Sequence, residues 1–406
     1  MENYEELIAQ CQSNSKLASS VVDDFLIYYA GIKLNLSKVA DKNLGVYNHI
    51  TRNHKEWLSL FKSQYIVHHI FKKGGVGKKL LNHSTVKEQL DQEELAFFQQ
   101  QIDNPWKFSF SEIVDNPKEN FFKMYDVFTQ EEFLLYSPSV QDITNENSIQ
   151  LWLNLIQYNG SCWQSFGPIG SYSSFKADDI YFFATELDPT IVTDQDILNH
   201  IEYNPAPYMM LFSGSRYPEI YSKNHLTIHA RSIFDDVQID FEKLKEYFEI
   251  ESNSNIYRFK APKLHSHPHF AVAYYDGDTK ELIFEAMTGH GFIKIVKLWN
   301  KAGYNLRPVP DLCVRPSMLT TTKKITGKNA EILAYDKYFD TEDEVTEAEA
   351  NELKKINDFM KLVVPMVNSG EKPDIAKLAK KANLEASVAE QVFEQIKGQI
   401  EKLDKR

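Results

Sequence analysis

The chain has 406 residues, 43% hydrophobic and 25% charged, with a net charge of −12; it is too long for one ordinary core, so two to four domains are expected. No run of 18 or more apolar residues occurs, which excludes an apolar membrane-spanning helix, and the acidic start MENYEELIAQCQ lacks the basic-then-apolar pattern of a secretory signal. Cys11, Cys162 and Cys313 are odd in number and far apart, which argues against a disulfide framework or a cysteine zinc cage and for a cytoplasmic address.

In chain order, residues 1–104 read as a helical region. In WLSLFKSQYIVHHIF the apolar residues Trp57, Leu58, Phe61, Tyr65, Ile66 and Ile70 recur at three and four, a helical stripe. STVKEQLDQEELAFFQQQI suggests a second helix with Ser84 as its cap. Between them lies FKKGGVGKKLL, one residue short of the phosphate-cradling loop of a partitioning-type ATPase. Lys73, Gly74, Gly75, Gly77 and Lys78 fit that loop, whose glycines let backbone N–H groups approach phosphate. The position that should hold Mg²⁺ through a hydroxyl is Lys79, a cation, and a helix rather than a buried strand leads in. ATP is therefore not expected here, and the bland reading is a glycine-stopped helix before a basic turn.

Residues 105–190 change period. WKFSFSEIVD, FFKMYDVF, EFLLYS, SIQLWLNLIQY, SCWQSFGPI and DDIYFFATEL are short aromatic and β-branched runs parted by turn-like segments, and Asn159-Gly160 is a hairpin signal. They predict a small antiparallel β-barrel or sandwich. Cys162 beside Trp163 reads as a core thiol rather than a nucleophile. Residues 91–210 hold 4 Lys+Arg against 19 Asp+Glu. Nucleic-acid affinity needs cations on phosphates, so a polyanion is not the expected partner of this segment.

NPAPYMMLFSGSRYPE suggests a linker over 191–224. Residues 225–335 then read as a small α+β domain. HLTIHARSIF and NIYRFK are strands, FAVAYYDGDTKELIFEAM a hairpin, DFEKLKEYFEI a helix capped by Asp240, and GHGFIKIVKLWNKAG a helix stopped at Gly303. In LHSHPHF, His265, His267 and His269 alternate, a spacing at which neutral imidazoles can ligate Zn²⁺ or Fe²⁺, with His290 as a distant fourth. Pro262 and Pro268 favour an exposed His-rich loop instead, so no cofactor is expected and a divalent metal is the alternative. His68 and His69 are adjacent on a helix and do not share a face; they read as surface and packing residues.

The tail, 345–406, opens with a capping box at Thr346 and Glu349. Ile375, Leu378, Ala379, Ala382, Leu384, Val388, Val392 and Ile396 predict a helical hairpin turning at 383–386, with the spacing of a DNA-binding helix-turn-helix. The second helix offers Glu385, Glu390 and Glu394 before Lys397, which favours a protein-docking hairpin over DNA.

The order of segments from about 50 to 303, marked by FSFSEIVD, FFKMYDVFTQEEFLLYS and FAVAYYDGDTKELIFEA, resembles a set of uncharacterised bacterial multidomain proteins. Some of these end in a cysteine-rich SEC-C zinc motif, which three scattered cysteines cannot supply here. The resemblance implies architecture and no active site. The expectation is an α+β multidomain protein: helical N-terminal region, antiparallel barrel, α+β domain and helical tail. Its expected role is a cytoplasmic, non-enzymatic binding or adaptor protein for a protein or small ligand. The rivals are a metal-dependent hydrolase built on the histidines and a DNA-binding regulator acting through the tail.

Overall fold

The computed structural model describes residues 3–52, 55–146, 148–266, 268–330, 332–339, 347–368, 373–386, 388–390 and 392–393. The chain is α+β and divides into two compact units, Met1–Ile332 and Leu333–Arg406.

The first unit begins with helices that surround the long helix Lys55–Phe71, whose Phe61, Tyr65, Ile66 and Ile70 are buried as the stripe predicts. The stretch expected as one helix from Ser84 is two, Ser84–Gln89 and Gln92–Asp103. Leu90 is extended, and Asp91 starts the second helix through a capping box in which Glu94 N–H donates to Asp91 and Asp91 N–H donates to Glu94.

Five strands then close a barrel in the order β1-β2-β3-β5-β4: β1 (Lys107–Lys118), β2 (Phe121–Asp126), β3 (Glu132–Tyr136), β4 (Leu151–Tyr158) and β5 (Trp163–Tyr172). The pairs are antiparallel except β3 with β5, which run parallel over Leu135↔Trp163 and Tyr136↔Gln164. With the helix Pro138–Glu146 between β3 and β4, this is the Greek-key connectivity of an OB-type barrel, a likeness of fold that transfers no ligand. Phe122, Met124, Leu135, Trp152 and Ile156 fill the interior. Phe108, Phe110, Leu153 and Leu155 belong instead to the core shared with the N-terminal helices. That is why LWLNLIQY reads as an unbroken apolar run: β4 is buried on both faces.

DDIYFFATEL, expected as a sixth barrel strand, is the helix Ala177–Leu187. Lys176 N–H donates to the Asp179 carboxylate at its start, and Ile180, Phe183 and Ala184 share one buried face at helical spacing. The 191–224 stretch, expected as a linker, carries the helices Asp194–Tyr203 and Ala206–Met209 and the 3₁₀ turn Met210–Gly214. Its YMML run is fully buried, and that burial outweighs the Pro and Gly signals.

After a two-stranded ribbon, β6 (Tyr221–Ser222) and β7 (His225–Leu226), a six-stranded sheet follows in the order β13-β8-β12-β11-β10-β9. Its strands are β8 (His229–Phe234), β9 (Glu249–Asn253), β10 (Ile256–Lys260), β11 (Ala271–Asp276), β12 (Glu281–Ala286) and β13 (Leu312–Val314). The helix Gly289–Lys301 packs Phe292, Ile295, Val296 and Trp299 on one face of it and ends before Gly303, whose φ is 102°. The helix expected over 240–250 is one turn, Phe241–Leu244, capped by Asp240, and Glu249 already belongs to β9.

The chain then returns to the first core. Arg315 N–H donates to Asp179 Oδ1 (2.7 Å), and the Arg315 guanidinium lies 3.2 Å from Asp179 Oδ2 with both side chains buried. This anchors the helix Pro316–Thr326, whose Met318 and Ile325 join the barrel-side core. A side chain at Gly214 would overlap Thr321 Oγ1 and lie 2.8 Å from Phe175 Cζ. Gly214→Ala is therefore expected to cost about 1–3 kcal/mol, read as a lower urea midpoint at unchanged slope. An unchanged midpoint would show that the contact yields.

The second unit holds the helices Glu347–Asn368 and Ile375–Lys381, the latter capped by Asp374. Phe359, Val363, Leu378, Ala379, Ala382, Leu384 and Ala389 form its core, and the expected turn is present with Asn383 left-handed. Glu385 and Glu390 are exposed. Thr346, Glu394, Ile396 and Lys397, and the side chain of Glu349, lie outside the described residues.

Candidate functional site

The phosphate-loop-like segment is the end of the helix Lys55–Phe71. Gly74 is left-handed, and the N–H groups of Gly75 and Val76 donate to Lys72 O and His69 O. A Cβ on Gly75 would sit 2.6 Å from Ile70 O, and one on Gly77 2.9 Å from Ile102 Cγ1. The glycines thus answer to close packing of backbone at a helix stop. Lys73 and Lys78 are exposed beside them.

Of the expected histidine cluster, His265 is exposed and His267 lies outside the described residues. His269 and His290 do meet, with ring centroids 4.6 Å apart, and the ribbon brings in a third ring that the alternation did not suggest. His225 is 4.3 Å from His269 and 5.6 Å from His290. His269 Nδ1 is fixed by Thr288 Oγ1 at 3.0 Å, the hydroxyl that also caps the helix Gly289–Lys301. Desolvation first holds His269 and His290 below the usual imidazole range, followed for His269 by the charges of His225, His290 and Lys294 and for His290 by those of Lys294 and His225. Among the described residues no group of three or more His, Cys, Asp or Glu is placed to hold a metal ion.

Of the pair read as surface and packing residues, His68 packs: it is fully buried, 4.9 Å from the Phe108 ring, with Nε2 3.3 Å from Glu202 Oε2. His69 stacks on Tyr65 at 4.2 Å.

A wide cleft with an aromatic wall lies elsewhere. It encloses about 1100 Å³ between the N-terminal helices, β5, the 3₁₀ turn Met210–Gly214 and the helix Pro316–Thr326. Trp57 and Phe212 stack at 5.6 Å and 6° to make one wall, and Ile169 lines the barrel side. Arg216 and Lys324 stand on the lining, with serines from β5 and from the turn after Phe212 between them. Arg216 is exposed and makes no ion pair among the described residues. The lining therefore joins aromatic and aliphatic side chains to two cations, Arg216 and Lys324, and one carboxylate, Glu56, a mix of apolar surface and a few charged groups that suits a small ligand.

No sequence motif marked these residues. They come from four separated segments, and only the fold of the first unit unites them. His225 and His229 in HLTIH, four residues apart, share only the even spacing of the histidines in LHSHPHF. No protein-family model, curated protein or solved structure matches the chain.

Proposed function

We propose that this protein is a non-enzymatic binding protein, acting in the cytoplasm, whose ligand is a small amphipathic anion held in the cleft. The observation that carries the reading is the Trp57–Phe212 wall facing a lining that holds Arg216 and Lys324. An aromatic or aliphatic body would displace water from the wall, where burial returns about 25 cal/mol per Å². A carboxylate, sulfonate or phosphate would take the guanidinium, which binds such groups in a bidentate fork. The cleft volume suits a ligand of metabolite or drug size. The lining carries two cations, Arg216 and Lys324, against one carboxylate, Glu56, and this positive excess favours anions by charge complementarity.

Anilinonaphthalene sulfonate is a suitable probe, being an aromatic anion whose fluorescence rises in an apolar site. Folded wild-type protein is expected to bind it saturably and to melt at higher temperature in its presence, since a ligand of the folded state stabilises by mass action. Arg216→Glu with Lys324→Glu is expected to weaken binding by about tenfold or more. Equal affinity in the two proteins, or a probe that lowers the melting temperature, would refute the assignment.

A further inference from the structure

Cys11 and Cys162 stand 151 residues apart in the chain, yet their Sγ atoms touch at 3.4 Å. One lies on the helix Tyr4–Leu17 and the other on the loop joining β4 to β5. Both thiols are reduced, and both are buried. Sequence separation alone argued against any pairing of these residues; the fold places the first helix across the barrel and reverses that argument.

The surroundings are those of a built pair. Asn159 Nδ2 donates to both sulfurs, at 3.3 and 3.5 Å, while Asn159 Oδ1 accepts from Cys162 N–H. Gln164 Nε2 donates to Cys11 O, and Gln164 Oε1 accepts from Asn14 and Asn159. Phe121 and Tyr136 close the apolar side. A cavity of about 430 Å³ shares Tyr136 and Gln164 with these walls.

We infer that Cys11 and Cys162 form a reversible disulfide that staples the helix Tyr4–Leu17 to the barrel when the protein meets a small peroxide. Formation of the bond requires the sulfurs to close from 3.4 Å to about 2.05 Å, a movement that side-chain rotation can supply. One thiol loses its proton and attacks the O–O bond of hydrogen peroxide, giving a sulfenic acid while the other oxygen leaves as water. The second sulfur then displaces the sulfenic hydroxyl, which leaves as water with that thiol's proton. Two thiols and one peroxide become one disulfide and two waters, and the two electrons pass from sulfur to oxygen. The Asn159 amide holds whichever sulfur is ionised. The neighbouring thiol and burial hold Cys11 far above the usual thiol range, so the first step quickens as pH rises. Cys313 sits apart on β13 and serves as an internal control.

The test exposes the full chain to hydrogen peroxide, alkylates it under denaturing conditions and maps the peptides by mass. Expected is a cross-linked peptide pair containing Cys11 and Cys162, loss of those two alkylation sites with Cys313 retained, and complete reversal by dithiothreitol. The oxidised protein is also expected to melt at higher temperature, because the bond closes a long loop. Cys11→Ser, in which Cys162 lacks its partner, is expected to yield no cross-link and an over-oxidised or unchanged Cys162. Wild-type protein in which Cys11 and Cys162 remain alkylatable, or go separately to sulfinic acid, would overturn the inference without any variant.

Discussion

Arg315→Ala is expected to lower the unfolding free energy by about 3–5 kcal/mol, the cost of leaving a buried charge without its partner. Asp179 would keep the N–H groups of residues 176 and 315 but lose the guanidinium that offsets its desolvation. Burial already pushes the Asp179 carboxyl up to about 6 against the opposing pull of Arg315, so removing the cation pushes it further up. The variant should therefore recover part of its lost stability below that range, where Asp179 is protonated. The consequence for function is direct: Arg315 precedes the helix Pro316–Thr326, which carries Lys324 to the cleft. Urea unfolding at pH 7 measures the loss, and a difference below about 1 kcal/mol would show that the pair is exposed in solution rather than buried.

The second large effect is acid sensitivity at the helix Lys55–Phe71. Burial first, then the charge of His68, pulls His69 down to about 4, and burial also lowers His68. A base whose folded pKa lies below its unfolded value contributes stability that is present above about pH 6.5 and is lost as pH falls through that window. For His69 the loss between pH 7 and 4 is about 3 kcal/mol. The raised Asp179 acts in the opposite sense, its contribution being present at low pH and lost as pH rises toward 6. His69→Gln isolates the histidine, because Asp179 is common to both proteins. The stability difference between wild type and His69→Gln should shift by about 3 kcal/mol over that range in the variant's favour. A difference that stays constant with pH would mean His69 is hydrated.

Periodicity made the helices and most strands legible. The stripe of Phe61, Tyr65, Ile66 and Ile70 and the strands of the barrel and of the FAVAYYD hairpin follow from it, because burial on one side imposes the spacing. It misled where local and tertiary signals compete. DDIYFFATEL has the aromatic content of a strand, but Asp179 caps a helix and anchors Arg315. DFEKLKEYFEI has helix formers throughout, yet its end pairs with β10. In NPAPYMMLF the prolines spoke for a linker while the methionines and leucine were bound for the core.

The candidate site was hidden for a different reason. Trp57, Ile169, Phe212, Arg216 and Lys324 share no motif, since a cleft between elements depends on how they pack rather than on spacing within any one of them. Cys11 and Cys162 were dismissed by the same logic, being distant in sequence and adjacent in space. His269 and His290 were chosen from sequence, whereas His225 joined them only through the ribbon.

The measurement that bears most directly on the binding assignment is fluorine NMR of protein labelled with fluorotryptophan. The chain has five tryptophans. Trp57 lines the cleft, whereas Trp106, Trp152 and Trp299 are fully buried and Trp163, at the start of β5, is not part of the lining. With resonances assigned through Trp57→Phe, titration of anilinonaphthalene sulfonate is predicted to move the Trp57 signal alone, with the midpoint seen by fluorescence. A probe that binds while Trp57 stays unmoved would place the ligand elsewhere and contradict the account.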